Sequence, residues 1–430
     1  MKPTFLFCIF FFVQSLFFTA LHAQDQDDKP LRNFQLSVFP MVGTDGTETP
    51  NYRYEFSLNL FAGMNGGVKG FEAGWFMNIN QGNVEGFQGA GFANIVNGSF
   101  QGFQGAGFLN VINGPSRGIN LAGFMNVVRG EQEGILWAGF MNVVDGRSQA
   151  LAGAGFMNVS RGSAQGFRGA GFMNVTAGSF QGFQGAGFMN VVSGSSQGAS
   201  FAGFGNVTAG DMQGIQGAGF MNVADKMQGI QLAGFLNVAG RAEGIQLGFI
   251  NVSDTISGIP VGFLSVVRRG GLRQIEIATN DLLFTNASFK IGVPAFYNIF
   301  TYGITPQHDH FVHLRGYGIG TRINLIENSS FLNIEAHSAV LYDDWKWWTD
   351  RNTSRNNYLN ELRVLYTHQI TPHIHLFGGA VVHNYWNKPS DDITSDDLEI
   401  APWTFYESTH NNWNSQWWLG ARAGVSFVLR

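Results

Sequence analysis

The sequence predicts an all-β protein that combines a β-solenoid with an antiparallel β-barrel-like domain. A motif of sixteen residues, seen in "GFQGAGFMNVVSGSSQ" at 182–197, recurs in register through the middle of the chain. After residue 270 the pattern changes to longer runs in which apolar and polar residues alternate. Such alternation is typical of strands that bury one face.

The N-terminus, MKPTFLFCIFFFVQSLFFTALHAQDQDD, has the features of a secretory signal peptide. Lys2 is followed by an apolar run from Phe5 to Ala20, and the small Ala23 precedes a polar stretch. The run is shorter than the about 20 residues of a membrane-spanning helix. We therefore predict a signal peptide at 1–23 and an exported mature chain. The single cysteine, Cys8, lies in this leader, so the mature chain has no thiol chemistry or disulfide.

Composition narrows the class of protein. The chain has 58 Gly and 41 Phe, only 13% charged residues and a net charge of −5. Because it offers no basic surface, we expect no nucleic-acid partner. No later segment is apolar for long enough to form a transmembrane helix, so insertion into a membrane would require a barrel.

The repeats are aligned on the asparagine of "FMNV". Asn78 begins a series that continues at steps of sixteen to Asn222, after which the steps shorten to 15, 14 and 14 and end at Ser265. A constant period favours stacked coils, because each coil must match both neighbours, whereas hairpin loops accept insertions independently. The sequence thus predicts thirteen coils of a β-solenoid within residues 67–270.

The invariant residues of each unit predict two structural ladders. An amide ladder is expected from Asn94, Asn110, Asn126, Asn142, Asn158, Asn174, Asn190, Asn206 and Asn222. A ladder of stacked rings is expected from Phe92, Phe108, Phe124, Phe140, Phe156, Phe172, Phe188, Phe204 and Phe220. In "FMNVV" the Phe and Asn share one face, which we interpret as the inside of the coil. The glycine series of Gly91 and Gly107 marks a bend with positive φ or a close approach of backbones.

This interpretation leaves Met and the first Val of "FMNVV" on the opposite face. They would form an exposed apolar stripe, for example at Met125, Met141 and Met157. Such a stripe suggests a protein or glycan partner, another copy of the chain, or the membrane. The alternatives are that the face assignment is reversed or that the chain's own C-terminal domain covers the stripe.

The segments that flank the repeats predict further strands. In residues 24–66, "FQLSVFPMV" and "YRYEFSLNLFAGM" flank the turn-like "GTDGTETPN", which favours a β-hairpin. Residues 271–430 contain several alternating runs of ten or more residues, the length that a tilted strand needs to cross a bilayer. We predict one small barrel closed by both ends of the chain, with the solenoid inserted. The alternative is a soluble β-sandwich.

The last run, "WWLGARAGVSFVL", shows the alternation of an outer-membrane barrel. Leu419 and Phe427 lie on one face, and Arg422 and Ser426 lie on the other. Eight of the ten Trp residues follow residue 340, as expected for an aromatic belt at a membrane interface.

The repeat unit G-[FI]-Q-x-A-G-F-M-N-V, particularly in its shorter form "GIQLGFINV", resembles the G-x-Q-x-G-x-x-N repeats of a family of bacterial surface proteins of uncharacterised role. The resemblance covers about residues 70–270 and implies a cell-envelope protein of a Gram-negative bacterium. It implies no catalytic residues. The Gln and Asn ladders are also similar to those of curli-type amyloid subunits, and "GVSFVL" is similar to the terminal strand of many outer-membrane proteins.

The sequence offers few residues for chemistry. His308 and His310, and likewise His373 and His375, have the i, i+2 spacing of a metal-binding pair on a strand, but we interpret them as solvated or barrel-lining histidines and assign no metal site. The acidic loop 390–399 could hold calcium, but it lacks the Gly spacing of known calcium loops, so we interpret it as a solvated loop. Aromatic segments at 342–350 and 401–418 suit sugar stacking or interfacial anchoring. The repeats carry no acid or base cluster and no phosphate-binding motif, so we expect neither enzymatic activity nor a cofactor.

These observations predict a non-enzymatic envelope protein with a structural, adhesive or scaffolding role at the outer membrane. One alternative is a channel or transporter whose barrel is plugged or extended by the solenoid. Another is a curli-like subunit of a self-assembling surface fibre. The sequence leaves the ligand, the orientation across the membrane and the oligomeric state open.

Overall fold

A computed structural model of the chain describes residues 29–307, 310–326, 329–343, 357–387, 403–411 and 413–429. The predicted fold class is confirmed: a β-solenoid of about 13 turns is followed by a separate, closed, eight-stranded antiparallel β-barrel. By its contacts the chain divides into two compact units, Met1–Gln184 and Gly185–Arg430. The expected signal peptide lies outside the described residues.

Each coil of the first unit has one longer and one four-residue strand, joined by a Gly-Phe bend and, on the other side, by a polar turn. The strands are β1 Leu31–Phe39, β2 Val42–Gly43, β3 Arg53–Asn59, β4 Ala62–Asn65, β5 Gly67–Gly74, β6 Met77–Asn80, β7 Val84–Ala90, β8 Ala93–Val96, β9 Phe100–Ala106, β10 Leu109–Ile112, β11 Ser116–Ala122, β12 Met125–Val128, β13 Gln132–Ala138, β14 Met141–Val144, β15 Ser148–Ala154, β16 Met157–Ser160, β17 Ala164–Ala170 and β18 Met173–Thr176, with β19 Phe180–Ala186 reaching the unit boundary. A 3-10 helix covers Gly46–Asn51.

In the second unit the coils become tighter. Its solenoid strands are β20 Met189–Val192, β21 Ser196–Ala202, β22 Gly205–Ala218, β23 Met221–Ala233, β24 Leu236–Leu247, β25 Ile250–Val261 and β26 Leu264–Val267. Strands β22 to β25 each run from a short strand directly into the next longer one. In β23 to β25 the shorter repeat explains this fusion, because a unit of 15 or 14 residues has no room for the three-residue polar turn, whereas β22 is fused within a unit of 16 residues.

Corresponding residues of successive coils pair in parallel. Asn110, for example, lies beside Asn94 and Asn126. At the bend a Cβ on Gly107 would lie 2.0 Å from the carbonyl oxygen of Gly91, so the predicted close approach is present. The positive φ values occur instead in another glycine series, which includes Gly102 at 132°.

The interior of the coils is half polar. The asparagines of the repeat are almost fully buried, as are most residues of a second column that includes Gln88 and Gln104. Alternating columns supply the apolar part of the core, with Val84, Phe100 and Ile112 among its members in the first unit. A buried amide must find partners, and stacking identical amides at strand spacing provides them.

The N-terminal hairpin predicted for residues 24–66 is wrong, and so is its place in the barrel. Strands β1 and β3 pair in parallel, with Leu31 beside Arg53 and Ser37 beside Asn59, and β3 pairs in parallel with β5. They therefore belong to the first successive coils of the solenoid. Alternation alone could not distinguish the two arrangements, because a solenoid strand and a hairpin strand both bury every second side chain.

The barrel is built only from the C-terminal part of the chain. Its strands are β27 Leu272–Asn280, β28 Thr285–Val293, β29 Phe296–Gln307, β30 His310–Ile326, β31 Ser330–Asp343, β32 Asn357–Gln369, β33 Ile374–Asn387 and β35 Trp413–Val428, with β34 Tyr406–His410 added on the outer edge of β35. Neighbours in this order are antiparallel, and β35 pairs with β27 from Val428 beside Gln274 to Arg422 beside Asn280. This pairing closes the sheet, so no edge is left open among the eight strands described.

Candidate functional site: a barrel with an apolar wall and a charged interior

The outer wall of the barrel is apolar. On β27 the outward Ile275 and Ile277 are 39% and 50% exposed, whereas the alternating Gln274 and Glu276 are buried. The same alternation continues around the barrel. Other exposed outward residues are Tyr302, Ile319, Ile323, Tyr358, Leu362, Val364, Tyr366, Ile374, Leu376, Trp386, Leu419 and Phe427. This is the reverse of a soluble barrel, in which the apolar residues face inward.

Charged residues are almost excluded from this wall. Among the described outward-facing residues of the eight barrel strands, Arg273 and Arg315 are the only Asp, Glu, Lys or Arg residues. Arg273 donates to the backbone carbonyls of Val267 and Arg268. The wall therefore has the composition that a hydrocarbon environment requires.

The interior contains a network of ion pairs centred on Lys290. Its ammonium contacts Glu335 and lies 2.7 Å from Glu276, and none of the three side chains is more than 2% exposed. The Tyr297 hydroxyl donates to Glu335 at 2.9 Å. Burial of these charges is tolerated because each lies beside an opposite charge.

A second part of the network surrounds Glu361. Its carboxylate contacts Arg363 and lies 3.0 Å from Nδ1 of His337 and 3.2 Å from Nδ1 of His383. The ring of His383 stacks on Trp418 with centroids 4.7 Å apart. These groups lie on neighbouring strands, since His337 pairs with Glu361, Glu361 with His383, and His383 with Trp418.

Asp281 closes one end of this network. It accepts hydrogen bonds from Nε1 of Trp418 at 2.7 Å and lies 3.2 Å from Nε2 of His383. The adjacent Leu283 packs inside the barrel with Leu314, Leu341, Leu359 and other apolar residues. An eight-stranded barrel is only wide enough for side chains to fill it, and here they do so.

Aromatic residues collect at one end of the wall. Tyr358 and Trp386 are register partners, and the ring of Trp413 lies 6.2 Å from Tyr358 and 6.4 Å from Trp386. Tyr358 and Trp386 are exposed. The position matches that of an interfacial aromatic belt. Trp418, in contrast, is fully buried in the interior.

The described histidine pair, His373 and His375, does not come together as a metal site. His375 is buried inside the barrel, where Nδ1 lies 3.4 Å from Nε2 of Gln274, whereas His373 is exposed in the preceding turn. His308 and the acidic loop 390–399 lie outside the described residues, and so does the side chain of His310. In the described part of the chain, no three His, Cys, Asp or Glu residues are grouped as a metal ion would require.

The asparagine series forms a continuous ladder within each unit. In the first unit Nδ2 of each asparagine from Asn78 to Asn158 donates to Oδ1 of the next at 2.9 Å. The same amide also donates to a backbone carbonyl, for example from Asn142 to Gly153 at 2.7 Å. In the second unit the ladder runs from Asn190 to Asn251 at 2.8 to 3.1 Å. The ladder is structural, because both the Oδ1 and the Nδ2 atoms of its side chains are used in hydrogen bonds within the coil stack.

The phenylalanine series stacks, but its predicted location in the core is wrong. In the first unit the rings from Phe76 to Phe172 are 4.7 to 5.0 Å apart with planes within 3°. They lie on the outside of the bend, and Phe92 and Phe108 are 38% and 39% exposed. The chain turns at "GF" between the two strands, so the alternation of inward and outward side chains is interrupted there. Phe therefore points outward although Asn, two residues later, points inward.

Two buried charges in the solenoid were not predicted from the sequence. Glu72 is fully buried and accepts hydrogen bonds from the amides of Asn59, Asn65, Asn80 and Gln88 at 2.6 to 3.1 Å. Burial raises the pKa of its carboxyl above the ordinary value, against the effect of these donors. The repeat alignment could have indicated that Glu72 is buried, since it occupies the position that holds Gln88 and Gln104 in the next two coils.

Arg168 occupies the same column in a later coil. It is 2% exposed, and its guanidinium donates to the Thr176 hydroxyl. Burial lowers the pKa of Arg168 to about 10, so it remains charged at neutral pH.

The chain matches no protein-family model, no curated protein and no solved structure. Among the described residues, none of the helical structure is long and apolar enough to cross a membrane. Function must therefore be inferred from the surfaces and the interior described above.

Proposed function

We propose that this protein is a non-enzymatic component of the outer membrane of a Gram-negative bacterium, anchored by its C-terminal barrel and carrying the solenoid as a structural or adhesive element. The observation that supports the proposal most strongly is the combination of an apolar outer wall with a charged interior in one closed sheet. In water this arrangement would be unfavourable for two reasons: the apolar side chains would be exposed to solvent, and the charges would be buried away from it. In lipid the same wall is favourable, and closure of the sheet leaves none of its eight described strands with an unpaired edge.

The filled interior supports an anchoring role rather than conduction. Lys290, Glu335, Glu361 and Arg363 are bonded to one another across the space that a pore would need. We therefore expect the purified protein to give no ion-conducting steps in planar bilayers. Regular conductance steps would favour the channel alternative.

Insertion can be tested with a pair of substitutions on one strand. Leu362 faces outward near the middle of β32, and Tyr358 faces outward at its aromatic end. Arginine on a lipid-facing surface costs about 2–4 kcal/mol at the bilayer midplane and about 0–1 kcal/mol near the interfaces. We expect Leu362→Arg to reduce refolding into vesicles of phosphatidylethanolamine and phosphatidylglycerol, and Tyr358→Arg to have little effect.

Equal refolding yields for these two variants and the unmodified protein would contradict the proposal. Folding is read from the heat-dependent shift in electrophoretic mobility, which reports the closed barrel. As a control for surface charge as such, Gln213→Arg adds the same group to a polar, exposed position of the solenoid.

A further inference from the structure

The outer surface of the solenoid in the second unit carries an apolar band. It consists of equivalent positions in successive coils, on both sides of the bend, and these positions hold only apolar residues. Its members include Ile215, Phe220, Leu232, Ile245, Leu247, Phe249 and Phe263, each 38% to 48% exposed. Half-buried Met, Leu and Val residues of the short strands, such as Met221 and Val223, continue the band beyond the bend. The Met and the first Val of "FMNVV" are therefore part of this surface.

Charge is confined to the other side of the coil. Arg241 lies 2.8 Å from Glu243, and Arg268 lies 3.0 Å from Asp254, in side-chain pairs that are partly or largely exposed. These residues lie at or beside the place that the polar turn occupies in the longer coils. The solenoid of the second unit thus has one apolar and one charged side, the distribution of an element that lies at a boundary between lipid and water.

The backbone of the apolar bend is fully engaged. The amide of Gly219 donates to the backbone carbonyl of Ala202 at 3.2 Å. The amides of Phe220 and Met221 both donate to the backbone carbonyl of Phe204, at 2.9 Å and 3.0 Å. The bends at Gly203 and Gly234 are bonded to the preceding coil in the same way. An unpaired amide would make contact with hydrocarbon costly, and these three bends avoid that cost.

The band meets the outer wall of the barrel. Phe263, the last ring of its phenylalanine column, lies 5.4 Å from Phe300 and 5.3 Å from Tyr317, which face outward on β29 and β30. Two residues further along the same strands, Tyr302 and Ile319 are exposed on the same wall. The apolar surface of the solenoid is therefore continuous with the surface that the proposed function places in lipid.

We propose that the acyl chains of the membrane cover this band, so that the solenoid of the second unit lies against the bilayer instead of standing free in water. The proposal rests on the proposed function, because it requires that the barrel is inserted. The occupant is a lipid bilayer: the band has no charged group to recognise a polar ligand, and its last ring packs on the outward-facing Phe300 and Tyr317 of the barrel wall.

Spin labels can test this cleanly, because the chain has a single cysteine, Cys8. In a Cys8→Ser background, one cysteine is placed at Leu247 in the band, at Arg241 on the same strand as the matched control, or at Leu362 on the barrel wall. Leu247 is 48% exposed, and the side chain of Arg241 is 63% exposed. The full-length protein is refolded into vesicles of phosphatidylethanolamine and phosphatidylglycerol. Collisions with oxygen, which enters lipid, and with a water-soluble nickel chelate are then measured.

We expect the labels at Leu247 and Leu362 to lose access to the nickel chelate and to remain accessible to oxygen, while the label at Arg241 remains accessible to the chelate. If Leu362 reports lipid but Leu247 reports water, the inference is wrong and the proposed function stands. If Leu247 is shielded from both probes and shows broadening between labels, a second copy covers the band and the inference is wrong. If Leu362 reports water, the proposed function itself fails.

A label at Phe249, which is 48% exposed in the same band, repeats the test should the Leu247 variant not fold. It must give the same loss of access to the nickel chelate for the inference to hold.

Discussion

The ring of Phe263 stacks on the ring of Tyr317 with centroids 5.3 Å apart and planes inclined by 20°. The first residue ends the phenylalanine column of the solenoid, and the second lies on the outer wall of the barrel. Within the second unit this contact joins the two structures, since Phe263 also meets Phe300 edge to face at 5.4 Å. Two aromatic pairs of this kind contribute about 0.5–1.5 kcal/mol each beyond the area they bury.

Replacing Phe263 should therefore loosen the junction. Arg268 and Arg269 precede the first barrel strand. We expect Phe263→Ala to increase the rate of tryptic cleavage at these residues by roughly tenfold, because lowering the free energy of local opening by about 1.4 kcal/mol raises the population of the opened state by that factor. Phe284→Ala is the control, because Phe284 is 72% exposed. An unchanged cleavage rate in Phe263→Ala would show that the contact does not hold the junction.

The amide ladder should be sensitive to truncation in its buried part. Asn142→Ala removes the hydrogen bonds to Asn158 and Gly153 and leaves the Asn126 amide without its side-chain acceptor. A buried polar group that loses its partner costs about 1–3 kcal/mol. We expect a loss of free energy of unfolding in this range, measured by urea denaturation.

The matched control is Asn97→Ala. Asn97 belongs to a separate, partly exposed asparagine pair at the polar turn, where water can replace the lost bonds. If Asn97→Ala lowers the free energy of unfolding as much as Asn142→Ala does, burial does not determine the cost of removing an asparagine side chain.

Glu72 should make the stability of the first unit depend on pH. Its folded pKa lies above the ordinary 4.5 because the carboxyl is buried. Between about pH 4.5 and the folded pKa, the folded chain therefore binds more protons than the unfolded chain. The free energy of unfolding should fall as the pH rises through this window. We expect Glu72→Gln to reduce this slope in urea denaturation, with the partly exposed Glu133→Gln as control. A slope that Glu72→Gln leaves unchanged would exclude Glu72 as its source.

Lys290 should be essential to the stability of the barrel. Lys290→Met leaves Glu276 and Glu335 close together in the interior without their shared cation. Removing one partner of a buried ion pair costs about 3–5 kcal/mol. We expect the temperature at which the folded electrophoretic band disappears to fall sharply. The exposed Lys69→Met serves as control, and equal temperatures for both variants would contradict a central role of this network.

The sequence predicts the solenoid and the barrel because both are periodic. A constant step between asparagines fixes the pairing of each coil with the next, and the terminal strand separates Leu419 from Arg422 by simple alternation. The phenylalanine column could not be placed in this way, because the direction of the chain changes at the glycine before Phe92, and alternation holds only within one strand. The partners of Lys290 could not be predicted either, because Glu276 and Glu335 belong to different strands whose register depends on closure of the whole sheet.

The N-terminal strands show a similar limit. The alternation of Phe34 to Val38 predicts a strand but does not predict whether its neighbour runs parallel or antiparallel. That choice follows from the polar interior, where the Ser57 hydroxyl donates to Gln35 at 2.6 Å and continues the buried polar columns of the later coils. A hairpin in the barrel would have separated these partners.

Extraction of membranes with alkaline sodium carbonate shows whether the barrel is embedded in a membrane. The full-length chain, including the predicted leader, is produced in a Gram-negative host, and the envelope fraction is washed at high pH to release proteins held only by surface contacts. We expect the protein to remain in the membrane pellet and to float with the lipid in a density gradient. Release of the folded protein into the supernatant would contradict a barrel embedded in the membrane.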